Sequence, residues 1–154
     1  MSITRKQIVE RFNAGVLDFH ASTEGNFVLA NASGQKLGAV GRPLPGSAEL
    51  ALVVYDFDKR SLARGEDGFL LRCGADEPGV LISRIDARTL AKFDGYGPST
   101  QERRLVRDAF AKGDAWFVSS DILRRDGDGD HWYVDRISDV VRTVNGPVFT
   151  LKTC

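Results

Sequence analysis

The order of apolar and polar positions predicts a helix near the start of the chain. Its apolar positions recur at the spacing of one helix face, and they are Ile8, Val9 and Phe12. Ser2 or Thr4 can cap the helix at its beginning, and Gly15 is of the type that follows a helix end. We therefore expect a first helix that ends near Asn13.

A second helical pattern lies in the last third of the chain. Residues 98–100 are Pro, Ser and Thr and are followed by Glu102, a combination that is typical of a helix start. One apolar face follows before Gly113, formed by Leu105, Val106, Ala109 and Phe110. The pattern predicts a second helix whose opposite face is charged and exposed to solvent.

Elsewhere, short apolar runs are separated by turn residues, which is typical of strands. The runs cover residues 27–30, 50–55, 68–73, 80–85, 115–118 and 131–134. Asp-Gly pairs at 126–129 predict a hairpin between the last two runs, and Asn145-Gly146 predicts another between 140–143 and 148–151. The fold predicted is α+β and mostly β: a bent antiparallel sheet or open β-barrel with two flanking helices and a C-terminal hairpin.

Composition and charge exclude several classes of protein. The 154 residues suffice for about one domain, and 42% of them are hydrophobic. Twenty-one Lys and Arg balance twenty-one Asp and Glu, so the basic excess of a nonspecific nucleic-acid or anionic-membrane binder is missing. No apolar run approaches the roughly 20 residues of a membrane helix, and the start lacks a signal-peptide pattern. We expect a soluble, cytoplasmic protein with no transmembrane segment.

The sequence contains no spacing that is typical of a metal or disulfide framework. Cys73 and Cys154 are far apart and are expected to be reduced thiols. Aspartates at 126, 128 and 130 alternate as calcium-loop ligands do, but a loop of the EF-hand type needs Gly at its sixth position and an acid at its twelfth. Those positions hold His131 and Ile137. A hairpin turn is the favoured interpretation of this segment.

Two common enzyme motifs are also missing. Ser22, His20 and Asp18 lie two residues apart on one segment and cannot take up the mutual positions of a catalytic triad. The glycine-rich phosphate loops of many nucleotide-binding proteins do not occur. A nucleotide site in this chain would therefore have to be built differently.

Six segments, taken together in their order and spacing, resemble one known family. They are residues 20–26 (HASTEGN), 38–46 (GAVGRPLPG), 77–82 (EPGVLI), 93–96 (FDGY), 113–121 (GDAWFVSSD) and 134–139 (VDRISD). They are similar to the adenylate-forming acyl-CoA synthetase superfamily, and most closely to its very-long-chain acyl-CoA synthetase and fatty-acid transport protein branch. The resemblance runs from about Ile8 to Thr150.

The first of these segments resembles the stretch of the family that lies against the adenylate. The resemblance implies that His20 stands for the aromatic residue that stacks near adenine and that Thr23 binds the phosphate. It implies that Glu24 helps to hold magnesium and so has a catalytic role, which suits a hard cation that prefers oxygen ligands. Taken alone, a Ser-Thr-Glu stretch is more typical of a turn after a strand.

Two further residues match positions that contact the nucleotide in the family. Ser120-Asp121 stands where the family has Thr-Gly-Asp, whose carboxylate accepts hydrogen bonds from the ribose hydroxyls, a role that suits an ionised acid. Arg136 matches an arginine that reaches the ribose or phosphate. The alternative is that Asp121 and Arg136 form only a surface ion pair.

The resemblance also implies a domain organisation. Residues 1–134 correspond to the β-rich subdomain of the large adenylation domain, and residues 135–154 correspond to the hinge that precedes the family's small domain. We expect the pyrophosphate-gripping loop and the catalytic lysine of the family to lie outside this chain. The cofactors implied for the complete enzyme are ATP or AMP, Mg²⁺ and coenzyme A, and the substrate is a fatty acid.

Two functional hypotheses follow. The chain is either a fragment or split component of a fatty-acyl-CoA synthetase, or a stand-alone remnant that serves as a binding or interaction module without chemistry. In the first case its partners are the missing adenylation-domain and small-domain segments or another copy of itself, and the chain alone is expected to be inactive.

Overall fold

The computed structural model describes residues 5–13, 15, 17–22, 27–34, 36–86, 104–143 and 146–148. Within these residues the chain forms one α-helix, twelve strands and a 3₁₀ turn at Ile137–Asp139. The helix and strands are α1 (Arg5–Phe12), β1 (Phe19–Ser22), β2 (Phe27–Ala30), β3 (Ala39–Pro43), β4 (Leu50–Val53), β5 (Tyr55–Asp56), β6 (Ser61–Leu62), β7 (Gly79–Arg84), β8 (Leu105–Arg107), β9 (Ala115–Arg125), β10 (His131–Arg136), β11 (Val141–Thr143) and β12 (Gly146–Val148).

Eight of these strands form one antiparallel sheet in the order β1-β2-β3-β10-β9-β7-β4, with β8 paired to β9 as well. The sheet is open, which confirms the predicted mostly β, antiparallel fold and excludes a closed barrel. The hairpins β5–β6 and β11–β12 form two small separate sheets. The second of them is the predicted C-terminal hairpin, with Thr143 opposite Gly146.

Apolar residues are buried on both faces of the central strands. On β7, Val80 and Ile82 belong to one buried cluster, which also contains Trp116, whereas Leu81 belongs to a second cluster with Phe27. Successive strand side chains point to opposite faces, so both faces of the central sheet are covered. This explains why 50–53 and 80–82 are continuous apolar runs rather than alternating ones.

The longest strand, β9, changes its partner halfway along. Along one edge, its first residues Ala115, Trp116 and Phe117 pair with β8, and its last residues, 121–125, pair with β10. The opposite edge pairs with β7, but the register shifts between Val80 and Ile82, so residues 119–121 bulge against β7. Such bulges bend a strand and redirect its side chains.

The predicted second helix is wrong over the residues that the structure describes. Leu105 and Val106 lie in β8, and the following residues form a loop in which Asp108 and Gly113 have φ of 51° and 85°. The Asp114 carboxylate accepts the backbone N–H groups of Ala109, Phe110 and Ala111 at 2.6, 3.1 and 3.1 Å. These bonds replace those of a helix, and the apolar residues still reach the core. The start signal at 98–100 and Glu102 lies outside the described residues.

The first helix is confirmed, because α1 ends at Phe12 and Asn13 takes a left-handed conformation with φ of 48°. Its apolar positions nevertheless face outward: Val9 and Phe12 are 41% and 65% exposed. Phe19 on β1 is 68% exposed. Among the described residues, no helix is long and apolar enough to cross a membrane.

The predicted strands agree with the structure apart from two segments. The last strand, β12, covers Gly146–Val148 rather than the predicted 148–151, of which residues 149–151 lie outside the described residues. Residues 68–73 form only isolated bridges, from Leu70 to Arg64 and from Arg72 to Val53, rather than a strand. Leu70 is buried in the core, whereas Leu71 is 44% exposed. The apolar run therefore marks a segment that covers the core without a continuous ladder of hydrogen bonds.

We expect Leu81→Ala to lower the free energy of unfolding by about 2–5 kcal/mol, the usual cost of removing buried methyl groups and leaving a cavity. Leu81 is fully buried between β4 and β9. The matched control is Leu71→Ala on the exposed side chain, which should change stability by about 0.5 kcal/mol or less. Urea unfolding followed by tryptophan fluorescence measures both variants, and equal losses would contradict the assigned core.

We expect Asp114→Ala to lower the free energy of unfolding by about 2–4 kcal/mol, because hydrogen bonds to a charged acceptor contribute about 1.5–3 kcal/mol each. Burial raises the pKa of Asp114, but its hydrogen bonds, led by the one from Trp116 Nε1, outweigh burial and lower the pKa overall. The stabilisation is therefore complete above the carboxyl's unfolded pKa and is lost as pH falls through its lower folded pKa.

Asp114→Asn is the control for this charge effect. It retains an oxygen acceptor but cannot titrate, so its stability should depend less on pH than that of the wild type at acid pH, below the ordinary carboxyl pKa of 3.8. Urea unfolding across this range tests the difference, and parallel pH profiles in the two proteins would show that the Asp114 charge is unimportant.

Candidate functional site

The candidate site is centred on Asp121, at the point where β9 leaves β8 and begins to pair with β10. The register between β9 and β10 shifts between Tyr133 and Asp135, and after this shift Arg136 lies opposite Asp121. In an uninterrupted register Asp135 would lie there, facing another carboxylate. The slip therefore places opposite charges on neighbouring strands, where cross-strand side chains interact.

Ser119 stabilises the backbone of this bulge. Its hydroxyl oxygen accepts the backbone N–H of Asp121 at 3.2 Å, and the side chain is buried. A short hydrogen bond from a Ser side chain to the backbone two residues on is typical of turns and local distortions of a strand. Ser119 was not among the predicted site residues, although a Ser two positions before the Asp is a recognisable signal for such a turn.

The Asp121 carboxylate lies between two cationic or potentially cationic side chains. Arg136 Nε donates to Asp121 Oδ1 at 3.1 Å, and His20 Nε2 lies 3.1 Å from Oδ2. The Asp121 side chain is only 14% exposed, whereas that of Arg136 is 60% exposed. The site therefore consists of a mostly buried acid with an arginine that reaches into solvent.

Burial raises the pKa of Asp121, but the His20 contact and the charge of Arg136 outweigh burial and hold the pKa below its usual value. The Asp121 charge in turn raises the pKa of Arg136. Asp121 is therefore an ionised acceptor at neutral pH. An ionised carboxylate in this setting accepts hydrogen bonds from hydroxyl groups and provides two oxygens for that purpose.

Two aromatic rings lie next to His20. Its ring centre lies 5.9 Å from that of Phe27 and 6.0 Å from that of Tyr133. Its Nε2 is buried, and although it is close to Asp121 Oδ2 it has no well-aligned hydrogen bond. The two groups are close enough to interact electrostatically, although the hydrogen-bond geometry is poor. Tyr133 was not among the predicted site residues.

The structure brings three of the five predicted site residues together: His20, Asp121 and Arg136. They come from β1, β9 and β10, so the grouping depends on the curvature of the sheet. Thr23 and Glu24, predicted to bind phosphate and magnesium, lie outside the described residues. Within the part of the chain that the structure describes, no group of three or more acidic, His or Cys side chains is placed to hold a metal ion.

The alternating aspartates occupy the turn between β9 and β10, as the hairpin interpretation predicted. The Lys36 ammonium lies among them, 2.7 Å from Asp126, 2.7 Å from Asp128 and 3.0 Å from Asp130. The hydrogen bond from Lys36 holds the pKa of Asp126 well below its usual value. An internal cation therefore stands between these carboxylates, which removes the basis for a calcium site.

The chain is similar in sequence to fatty-acid CoA ligases and fatty acid transport proteins. No protein-family model matches the chain. A medium/long-chain-fatty-acid–CoA ligase of Mycobacterium tuberculosis is 38% identical over 130 residues, which are 84% of this chain and 21% of the ligase. Long-chain fatty acid transport protein 2 of Rattus norvegicus is 34% identical over 143 residues, which are 89% of this chain and 23% of that protein.

Solved structures share the fold. The anthranilate CoA ligase AuaEII in complex with anthranoyl-AMP matches 93% of this chain with a TM-score of 0.57 and 19% identity. O-succinylbenzoate coenzyme A synthetase of Bacillus subtilis in complex with AMP matches 92% with a TM-score of 0.56 and 19% identity. The chain covers 24% and 25% of these two structures, respectively.

The chain spans about a fifth of the length of the curated relatives that it matches. The alignments with these relatives cover most of this chain rather than one short motif. The fold agrees with adenylate-forming enzymes, and the sequence agrees with their fatty-acid branch. The matched sequence therefore belongs to the family of long-chain fatty-acid CoA ligases and fatty acid transport proteins.

Proposed function

We propose that this chain contributes ribose and phosphate contacts to the adenylate site of a fatty-acyl-CoA synthetase. In the complete reaction, a fatty acid carboxylate attacks the α-phosphorus of ATP and forms an acyl-adenylate with loss of pyrophosphate. Coenzyme A then displaces AMP to form the thioester. The observation that carries the proposal is the mostly buried, ionised Asp121 between His20 and Arg136.

The chemistry of this group fits a ribose. A vicinal diol donates two hydrogen bonds in nearly the same direction, and the two oxygens of a carboxylate can accept both. Because Asp121 is largely withdrawn from water, such bonds compete with fewer water molecules than on an open surface. Arg136, whose side chain is mostly exposed, provides further donors to a ribose or phosphate oxygen.

Thr23 and Glu24 complete the proposal by resemblance to the family. Thr23 would donate its hydroxyl to a phosphate oxygen, and Glu24 would provide an oxygen ligand for Mg²⁺, the cation that accompanies ATP. The two residues precede β2 on the same segment as His20.

The proposed boundary between subdomain and hinge falls within β10. Residues 1–134 would belong to the large domain, and residues 135–154 would form the segment about which the family's small domain turns. The 3₁₀ turn at Ile137–Asp139 and the separate hairpin β11–β12 follow Arg136 directly. Arg136 would thus link the nucleotide site to the hinge.

A second candidate function is a binding or interaction module without chemistry. It is favoured by the exposed apolar side chains of Val9, Phe12, Leu17 and Phe19 near the start of the chain. Exposed apolar groups of this size mark contact surfaces when they are contiguous. The adenylate site and such a surface are compatible in one chain, and AMP binding distinguishes the two functions, because only the adenylate site requires it.

We expect the isolated chain to bind AMP more tightly than adenine or inorganic phosphate. Asp121→Ala and Arg136→Ala should each weaken AMP binding about tenfold or more, because a charge-assisted contact contributes about 1.5–3 kcal/mol. Isothermal titration calorimetry measures the affinities. The matched control is Arg84→Ala, because Arg84 is similarly exposed and pairs with Glu49 at 3.2 Å away from the site.

Equal AMP affinity in the wild type and all three variants would remove the site assignment. A structural role of Asp121 would instead appear as a lower urea midpoint with unchanged affinity for AMP. The calorimetric and unfolding measurements on the same preparations distinguish these outcomes.

We expect the isolated chain to form no acyl-CoA. Charge that develops on the α-phosphate needs positioned donors, and the resemblance assigns the catalytic lysine and the phosphate-gripping loop to regions outside this chain. Incubation with ATP, Mg²⁺, palmitate and coenzyme A, followed by mass spectrometry against a boiled control, tests the expectation. Formation of palmitoyl-CoA above the control would show that the chain is an enzyme by itself.

A further inference from the structure

His20 contacts Asp121 across the concave side of the sheet. In the strand order, β1 is separated from β9 by β2, β3 and β10, so neighbouring strand pairing does not bring these residues together. Their approach to 3.1 Å requires the β1–β2 hairpin to curl over β10. The ring contacts of His20 with Phe27 and Tyr133 lie along this path.

Arg136 and His20 each contact a different oxygen of the Asp121 carboxylate. Arg136 Nε takes Oδ1, and His20 Nε2 lies against Oδ2. A carboxylate oxygen can accept two hydrogen bonds, and each oxygen of Asp121 has one such neighbour among the described residues. With a contact on both sides, rotation of the carboxylate about its Cβ–Cγ bond is restricted. A vicinal diol needs two adjacent acceptors, and the two oxygens of one carboxylate provide them.

Among the described residues, the His20 ring contacts those of Phe27 and Tyr133, and its Nε2 has no well-aligned hydrogen bond. This nitrogen is buried close to Asp121 Oδ2. A buried polar atom without an aligned partner is uncommon in folded proteins. A small adjustment of the carboxylate on ligand binding would align it with Nε2, so the bond to His20 would strengthen when the diol binds.

We propose that His20 is a positioning residue that orients the Asp121 carboxylate toward a vicinal diol. The inference rests on the proposed adenylate function and deepens it. It differs from the role in adenine stacking that the resemblance implies, because it assigns the function to Nε2 rather than to the face of the ring. The specificity that results is for a ligand with both ribose hydroxyls.

The test compares AMP with 2′-deoxyadenosine monophosphate, which lacks one hydroxyl of the diol. We expect the wild type to prefer AMP about tenfold, the value of one well-placed hydrogen bond to a charged group. His20→Phe retains an aromatic ring but has no donor, so it should lose this preference by binding AMP more weakly. His20→Gln places an amide nitrogen near the position of Nε2 and should restore part of the preference.

A purely structural role for His20 predicts a different result. Loss of packing would weaken the binding of both nucleotides equally and lower the urea midpoint, whereas loss of positioning changes the ratio of the two affinities. If His20→Phe keeps the wild-type ratio, the positioning role is overturned and the adenylate function remains. If the wild type binds AMP with no preference for the diol, or does not bind it, the adenylate function and the inference fail together.

The contact itself is tested without a nucleotide. In nitrogen-15 NMR spectra, Asp121→Asn should move the Nε2 resonance of His20 and leave that of His131 unchanged, because His131 lies against the carbonyl of Gly41 instead. An unchanged His20 resonance would overturn the inference even if AMP binds. The NMR experiment therefore tests the His20–Asp121 contact independently of the proposed adenylate function.

Discussion

The register of β9 is the constraint on which the rest of the structure depends. This strand pairs with β8 over its first residues, with β10 over its last residues and with β7 along the opposite edge. One continuous flat ladder cannot satisfy all three neighbours, and the bulge at residues 119–121 absorbs the difference. Asp121 is the last residue of this bulge, and a second register shift, in β10, places Arg136 opposite it.

Carboxylates that are withdrawn from water recur in the molecule, and each is compensated by donors. Asp114 accepts three backbone N–H groups and the Trp116 indole, and Asp121 lies between His20 and Arg136. In both cases the charged form is favoured over the neutral one although burial opposes it. The two carboxylates differ in where their neighbours come from. Three donors of Asp114 are backbone N–H groups of its own loop, whereas the neighbours of Asp121 lie on the separate strands β1 and β10.

This difference explains why the same residue type serves structure at one position and is proposed to serve recognition at the other. Asp114 closes a loop that replaces a helix, and its removal is expected to affect stability first. Asp121 is paired with an arginine that is largely exposed, so part of the charge at this site is accessible to a ligand. The proposed role of His20 rests on its distance of 3.1 Å from Asp121 Oδ2.

Local sequence signals determined much of the architecture. Apolar runs between turn residues predicted β2, β4, β7, β9 and β10, Asp-Gly and Asn-Gly pairs predicted two hairpins, and Ile8, Val9 and Phe12 predicted α1. These predictions were correct because strand, turn and helix-end preferences depend on only a few neighbouring residues. The order of six segments was sufficient to identify the family, and three predicted site residues lie together in the structure.

Only the tertiary structure decided the features that depend on distant partners. The apolar spacing of Leu105, Val106, Ala109 and Phe110 fits a helix, but pairing with β9 and the Asp114 carboxylate favour a strand and a loop. A slip of one residue places Arg136 rather than Asp135 opposite Asp121. Sheet curvature brings His20 to the same carboxylate. Each outcome is set by contacts between residues far apart in the chain, which a local pattern of side chains does not contain.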